Sequence, residues 1–192
     1  MISRLGRLYF ELLYARRGDP WGFERREYER AKYERTLAAL ADRRFPRALE
    51  IGCSEGVFTA MLAPRCDELL AVDVSRVAIA RARKRLADTP GVSLQRRTLP
   101  EDMPTGMFDL IICSEVLYYW NADLLLVALR SFESALAPGG SLLAVHGRFA
   151  SRTCPLHGDD VHDLLARQTS LSRALSATEP NYRLDRYDKS PA

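Results

Sequence analysis

The stretch RALEIGCSEGVFTAML, Arg47 to Leu62, is an apolar run that ends in an acid, followed by two glycines four residues apart and then an amphipathic pattern. The run "ALEI" has the length and content of a short strand. Val57 with Met61, and Phe58 with Leu62, make a helix face. Glu50, Gly52 and Gly56 therefore stand at a strand-to-helix turn. Two readings are open. Glycine serves tight turns mechanically, because it accepts left-handed backbone angles. It also lets the backbone approach a ligand closely, as a nucleoside cofactor requires.

The surrounding pattern bears on the choice. Two helical segments are expected first, with GDPWGF (Gly18 to Phe23) as turn chemistry between them. Tyr33, Leu37 and Leu40 form one buried helix face, and Pro46 is expected to stop that helix. After Arg47 strands and helices alternate. "ELLAVDV" (Glu68 to Val74) reads as a second strand, Ser75 as an N-cap, and Ile79, Ala82 and Leu86 as the next helix stripe. "GVSLQRRTL" is a weaker third strand and "MFDLIICS" (Met107 to Ser114) a strong fourth. Leu125, Leu129, Phe132 and Leu136 mark a helix that Pro138, Gly139 and Gly140 are expected to end. "SLLAVHG" is a fifth strand, "DDVHDLLARQ" a helix, and "SRALSATE" with "YRLDRYDK" a closing hairpin. Apolar strands alternating with helices imply an α/β fold. In it a parallel sheet is covered on both faces and doubly wound through right-handed crossovers.

The 192 residues are expected to form one domain, 1–192, with a helical segment at 1–45 and a core at 46–192. The net charge is only +3 and the basic residues are interspersed with acids, which argues against a nucleic-acid partner. No apolar run approaches the ~20 residues of a membrane span. Arg4, Arg7 and Glu11 interrupt the first segment, so it reads as an amphipathic helix rather than a signal peptide. Cys53, Cys66, Cys113 and Cys154 are scattered without a Cys-x-x-Cys pair. Neither zinc nor a disulfide framework is suggested, and a reducing, cytoplasmic setting fits.

In a doubly wound sheet, ligands bind beyond the carboxyl ends of the strands. Asp73 ends the second strand, 23 residues beyond Glu50, where a carboxylate grips a ribose diol by accepting from both hydroxyls. The alternative role for Asp73 is a charge at a helix N-terminus. Dinucleotide sites use G-x-G-x-x-G and set a pyrophosphate on the helix start. Here the spacing is E-x-G-x-x-x-G, and Glu55 would repel a pyrophosphate. Glu50 suits a cationic or zwitterionic tail instead. S-adenosylmethionine carries a sulfonium and an amino acid moiety and no phosphate, so it fits better than NAD.

The segments ALEIGCSEG, LLAVDVS, FDLIICSEVLYY and LAPGGSLLAVH resemble, in order and spacing, a class I S-adenosylmethionine-dependent methyltransferase. DPWGFERREYERAKYERTL, with GCSEG and SEVLYY, is similar to the NodS-like group. That group includes N-methyltransferases of deacetylated amino-sugar oligosaccharides and relatives from biosynthetic gene clusters. The resemblance implies a Rossmann-like, mostly parallel seven-stranded sheet in the order 3-2-1-4-5-7-6, with the seventh strand antiparallel and lid helices at the N-terminus. It implies that Glu50, Gly52, Cys53 and Gly56 line the methionine end of the cofactor. Asp73 would hold the ribose, and Val74 would flank the adenine. Thr98 and Leu99 would close the adenine's other side, with Ser114 also at the cofactor and Trp21 folding over it. Many members have glycine where Ser54 stands, and many place an acid in the region of RRTLP.

Methyl transfer from a sulfonium is an in-line displacement, so the enzyme mainly positions the acceptor. Glu115, beyond the fourth strand, is a candidate to take a proton from an amine or to hydrogen-bond the acceptor. Tyr118 and Tyr119 are candidates for the acceptor wall. His146, at the end of the fifth strand, is a candidate base or an ordinary hydrogen-bonded edge histidine. HGDDVH (His157 to His162) reads as a helix start, with Asp159 or Asp160 near the N-cap, rather than a metal site. The expected acceptor is small, an amine on a sugar-like or other polar molecule. Alternatives are O-methylation of a small biosynthetic intermediate and a non-catalytic adenosyl-binding subunit. An NAD-dependent dehydrogenase lacks G-x-G-x-x-G and Tyr-x-x-x-Lys here, and an RNA or DNA methyltransferase lacks its Pro-Pro motif.

Overall fold

The structure is a computed structural model and describes residues 6–191. The seven strands form one sheet in the order β3-β2-β1-β4-β5-β7-β6. The chain clusters into two compact units, 6–97 and 98–191. No change in composition marks the boundary between Arg97 and Thr98.

The first unit contains α1 (Arg7–Arg16), α2 (Glu27–Ala38), β1 (Phe45–Ile51), α3 (Val57–Leu62), β2 (Cys66–Asp73), α4 (Arg76–Arg85) and β3 (Val92–Arg96). β1, β2 and β3 are parallel, with Glu50 beside Ala71 and Asp73 beside Arg96. Ala48, Leu49, Ile51, Ala71 and Val72 are buried, as a strand covered on both faces requires. Ser75 caps α4 as expected, accepting from the Ala78 N–H. Pro46 does not stop the preceding helix. α2 ends at Ala38, the chain turns through Ala41 at φ 51°, and Pro46 is the second residue of β1. Near a strand's first residue, the missing N–H costs the ladder little.

The second unit contains β4 (Phe108–Ser114), α5 (Ala122–Ala135), β5 (Leu136–Gly147), α6 (Gly158–Gln168), β6 (Ser172–Thr178) and β7 (Tyr182–Asp188). β4 and β5 are parallel, and β7 is antiparallel to both β5 and β6. The Pro138–Gly140 stretch differs from expectation. The helix has already ended at Ala135, and Leu136 pairs with Phe108 as the start of β5. The three residues form an irregularity in that ladder. A Cβ on Gly140 would lie 2.8 Å from the Ala137 carbonyl oxygen and 3.0 Å from that of Phe108, so backbone packing demands glycine there.

No described helix is long and apolar enough to cross a membrane. Among the described residues, no group of three or more His, Cys, Asp and Glu side chains is arranged to hold a metal.

Candidate active site

In the first unit, the loop after β1 places three left-handed residues within five positions: Gly52 at φ 77°, Ser54 at φ 52° and Gly56 at φ 79°. Gly56 also solves a packing problem, because a Cβ there would meet Leu86 Cδ1 at 2.9 Å and Ala82 Cβ at 3.2 Å. The N–H groups of Gly52 and Cys53 both donate to the Val72 carbonyl, at 2.8 and 3.0 Å, which pins the loop to the end of β2. Asp73 braces the same loop. Its Oδ2 accepts from the Ser54 N–H (3.0 Å) and its Oδ1 from the Ser75 N–H (2.8 Å). Asp73, the last residue of β2, thus stands at the start of α4, as one of its two expected roles required, and it also braces the glycine loop.

Burial dominates the electrostatics. It pushes the Asp73 carboxyl up to about 6, against the pull of the Ser75 and Ser54 amides. It pushes Glu50 up to about 7, against the pull of the Thr59 hydroxyl and with the charge of Asp73 adding to the shift. Glu50 Oε2 is buried and has no hydrogen-bond partner among the described residues. Val74 is half-buried, and its carbonyl accepts from Arg96 Nε at 3.3 Å. Cys53 is buried, its thiol pushed well up by burial and by Asp73 and Glu50.

The N-terminal segment packs onto this loop through side chains that sequence reasoning missed. The Tyr14 hydroxyl donates to Ser54 Oγ at 2.7 Å, in a buried contact. Glu11 accepts from the Ser75 hydroxyl and from the Arg76 and Val77 N–H groups at 2.9 to 3.2 Å, so it adds a second cap to α4. The Asp19 N–H and Arg81 both donate to the Glu55 carboxylate. Trp21 is half-buried between the rings of Tyr14 and Phe23, with centroids 5.4 Å away in each case.

In the second unit, β4 runs through Ser114 into Glu115, which sits at φ 56° without being glycine. Such a conformation persists only where neighbours hold it. The Glu115 N–H donates to the Val145 carbonyl (2.8 Å). Its Oε2 accepts from the Tyr118 hydroxyl (2.7 Å) and from the Gly147 N–H (3.0 Å). Burial, together with the charge of Glu115, holds the Tyr118 phenol well above its usual range, so Tyr118 is a neutral donor. Its ring meets Tyr119 edge-on at 4.7 Å and Phe149 at 5.9 Å. Phe149, absent from the expected set, is 53% exposed. Leu99 is buried, and the Thr98 carbonyl accepts from the Asp102 N–H.

His146 is not the edge base its strand position suggested. It is fully buried, and both ring nitrogens are engaged. The Leu117 N–H donates to Nε2 at 3.1 Å, and Nδ1 lies 3.2 Å from His162 Nε2. Asp159 and Asp160 lie in the first turn of α6, near the N-cap as expected; the cap itself is His157, whose Nδ1 accepts from the Asp159 N–H while its own N–H donates to Asp160. The missed partner had a sequence signal. His162 shares the stripe of Gly158, Val161 and Leu165, and a histidine on an apolar stripe needs a buried partner.

The sequence profile of the Nodulation protein S (NodS) family matches residues 11–185. The chain belongs to the NodS family. Nodulation protein S of Rhizobium tropici is 35% identical over 136 residues, which cover 69% of this chain and 57% of that protein. Among solved structures, N-methyltransferase NodS from Bradyrhizobium japonicum WM9, in complex with S-adenosyl-L-homocysteine, superposes with a TM-score of 0.84. It is 26% identical, over 95% of this chain and 97% of that one. A Pseudomonas syringae protein of known crystal structure is 42% identical with a TM-score of 0.74, over 85% of this chain and all of the other. The matched stretch spans 57% to 61% of the length of the first curated NodS relatives.

Proposed function

We propose that residues 1–192 act as one methyltransferase domain that uses S-adenosylmethionine to methylate an amine on a small polar, sugar-like acceptor. The observation that carries the cofactor assignment is the buried Glu50 carboxyl, pushed up to about 7, beside a loop of three left-handed residues. Together with Asp73, it sets two buried carboxyls beside one loop, and it suits a ligand that brings positive charge and hydroxyls and no phosphate. Glu50, Gly52, Cys53 and Gly56 would hold the methionine end and Asp73 the ribose. Val74, Thr98 and Leu99 would flank the adenine, with Ser114 and Trp21 completing the cofactor contacts. When bound, the cofactor supplies a methyl group already activated on a sulfonium.

The protein's own task is then positioning. Glu115, fixed by two donors, attracts an ammonium group and orients it, and it accepts the proton an amine sheds before attack. Tyr118 holds Glu115 rather than acting as a base, and Tyr118, Tyr119 and Phe149 offer ring faces and edges beside it. The N-methyltransferase relative supports an amine over a hydroxyl acceptor. A cytoplasmic setting agrees with four thiols that form no disulfide.

The test is calorimetry with S-adenosylhomocysteine and with NAD, followed by methyl transfer from labelled S-adenosylmethionine to a chito-oligosaccharide bearing a free terminal amine. Binding of S-adenosylhomocysteine but not NAD, and labelling of the amine, are expected. NAD binding with no response to S-adenosylhomocysteine overturns the cofactor assignment. Labelling of a hydroxyl, or none of either group, overturns the acceptor assignment.

A further inference from the structure

The strained turn that carries Glu115 has a second support, a line of buried side chains on β5, α6 and β7. The 3-10 turn Leu117–Tyr119 begins two residues after Glu115, with Val116 between them. The Leu117 N–H donates to His146 Nε2, and His146 Nδ1 meets His162 Nε2 at 3.2 Å. His162 Nδ1 meets Asp185 Oδ2 at 2.8 Å. All three side chains are fully buried, on β5, α6 and β7. Beyond them, Arg183 faces Asp185 at 3.1 Å and Asp163 at 2.9 Å.

The partners at the two ends fix the proton on every ring. A backbone N–H only donates, so His146 Nε2 must be bare and Nδ1 must carry the proton. His146 then donates to His162 Nε2, which leaves the His162 proton on Nδ1, aimed at a carboxylate that only accepts. The chain runs one way, with one proton per ring. A second proton on either ring would set N–H against N–H at one link.

We propose that His146, His162 and Asp185 are positioning residues for the Glu115 turn. They form a buried one-way hydrogen-bond chain that clamps the Leu117 amide and so holds the Glu115–Tyr118 pair in register. Its bearing on catalysis rests on the reading of Glu115 as the acceptor-side carboxylate. The packing serves the same end. Gly158 opens α6 against the end of β5, and a Cβ there would meet the Gly147 carbonyl oxygen at 2.2 Å and His146 Cβ at 3.4 Å. Gly147 is the residue whose N–H holds Glu115. One short stretch of β5 therefore grips the turn at three points, through the Val145 carbonyl, the His146 ring and the Gly147 amide.

The test uses the isotopically labelled full chain without cofactor or acceptor, so it succeeds or fails independently of the methyl-transfer reading. Long-range proton–nitrogen spectra are expected to show both His146 and His162 protonated at Nδ1. His162→Leu cuts the chain, and His162→Gln keeps one donor and one acceptor. In His162→Leu, exchange of the Leu117 amide should speed up about tenfold or more relative to the β5 amides of Leu142 to Val145, which report global stability. The slowly exchanging Tyr118 hydroxyl signal should weaken with it, and His162→Gln should restore both. An Nε2-protonated His146 would overturn the proposal. So would Leu117 protection unchanged in His162→Leu, or a loss that merely follows the sheet amides or that His162→Gln fails to restore.

Discussion

At Glu50 and Asp73, burial works against charge. In the unfolded chain both carboxyls ionise near pH 4. In the folded protein they ionise near 7 and 6. Between those limits the folded state binds more protons than the unfolded one. Their contribution to stability is therefore fully present below about pH 4 and lost as pH rises through 6 to 7. A cationic ligand reverses this preference, because it favours the ionised carboxyls. Affinity for S-adenosylmethionine should thus rise between pH 5.5 and 8, with protons released on binding at pH 6.5. Calorimetry in two buffers of different ionisation enthalpy measures the release, and Glu50→Gln should reduce it. Equal release in both proteins would mean that Glu50 does not titrate on binding. Asp73→Ala should weaken S-adenosylhomocysteine binding by ~1–3 kcal/mol, the scale of lost charge-assisted bonds. It should also loosen the loop, since Ser54 and Ser75 lose their acceptor. At Glu115, substitution by Gln should cost more in turnover of the amine probe than in S-adenosylhomocysteine affinity. Steady-state kinetics beside calorimetry decides it, and intact turnover would remove Glu115 from the reaction.

The elements that were legible in the sequence are those whose signal is local. β1, β2 and β4 announce themselves as apolar runs, and α4 as a stripe behind a serine cap, because periodicity and capping act within one turn or strand. The start of β5 was hidden, because Leu136 completes the apolar stripe of α5 and yet pairs with Phe108, a partner 28 residues upstream. His146 was misplaced for a related reason. Strand position put it at an edge, whereas burial came from α6 and β7, and only the histidine on the α6 stripe hinted at that. Glu11 is the other tertiary surprise: an acid on α1 that caps α4. Glu11→Ala should lower stability by ~0.5–2 kcal/mol, the usual worth of a cap, as measured by urea unfolding. No loss would mean that Ser75 alone satisfies the helix start.

Across the whole molecule, burial governs the thiols as well. Cys53, Cys66 and Cys113 are buried and Cys154 is half-exposed. Burial pushes the Cys66 thiol up to about 12 and raises those of Cys53 and Cys113 as well. A neutral thiol reagent should therefore label Cys154 in the native protein and all four cysteines after unfolding, and native labelling of Cys66 would contradict the packing. The bond between Tyr14 and Ser54 has a consequence of a different kind, written in descent rather than in energy. Ser54 accepts a strained left-handed backbone and in return offers a hydroxyl to the first helix. Where a relative has glycine at that position, the strain and the hydroxyl disappear together, and a phenol at position 14 loses this acceptor. The two positions should therefore change as a pair across the family, Tyr with Ser and an apolar residue with Gly. That covariation would join two sites 40 residues apart that no local pattern connects.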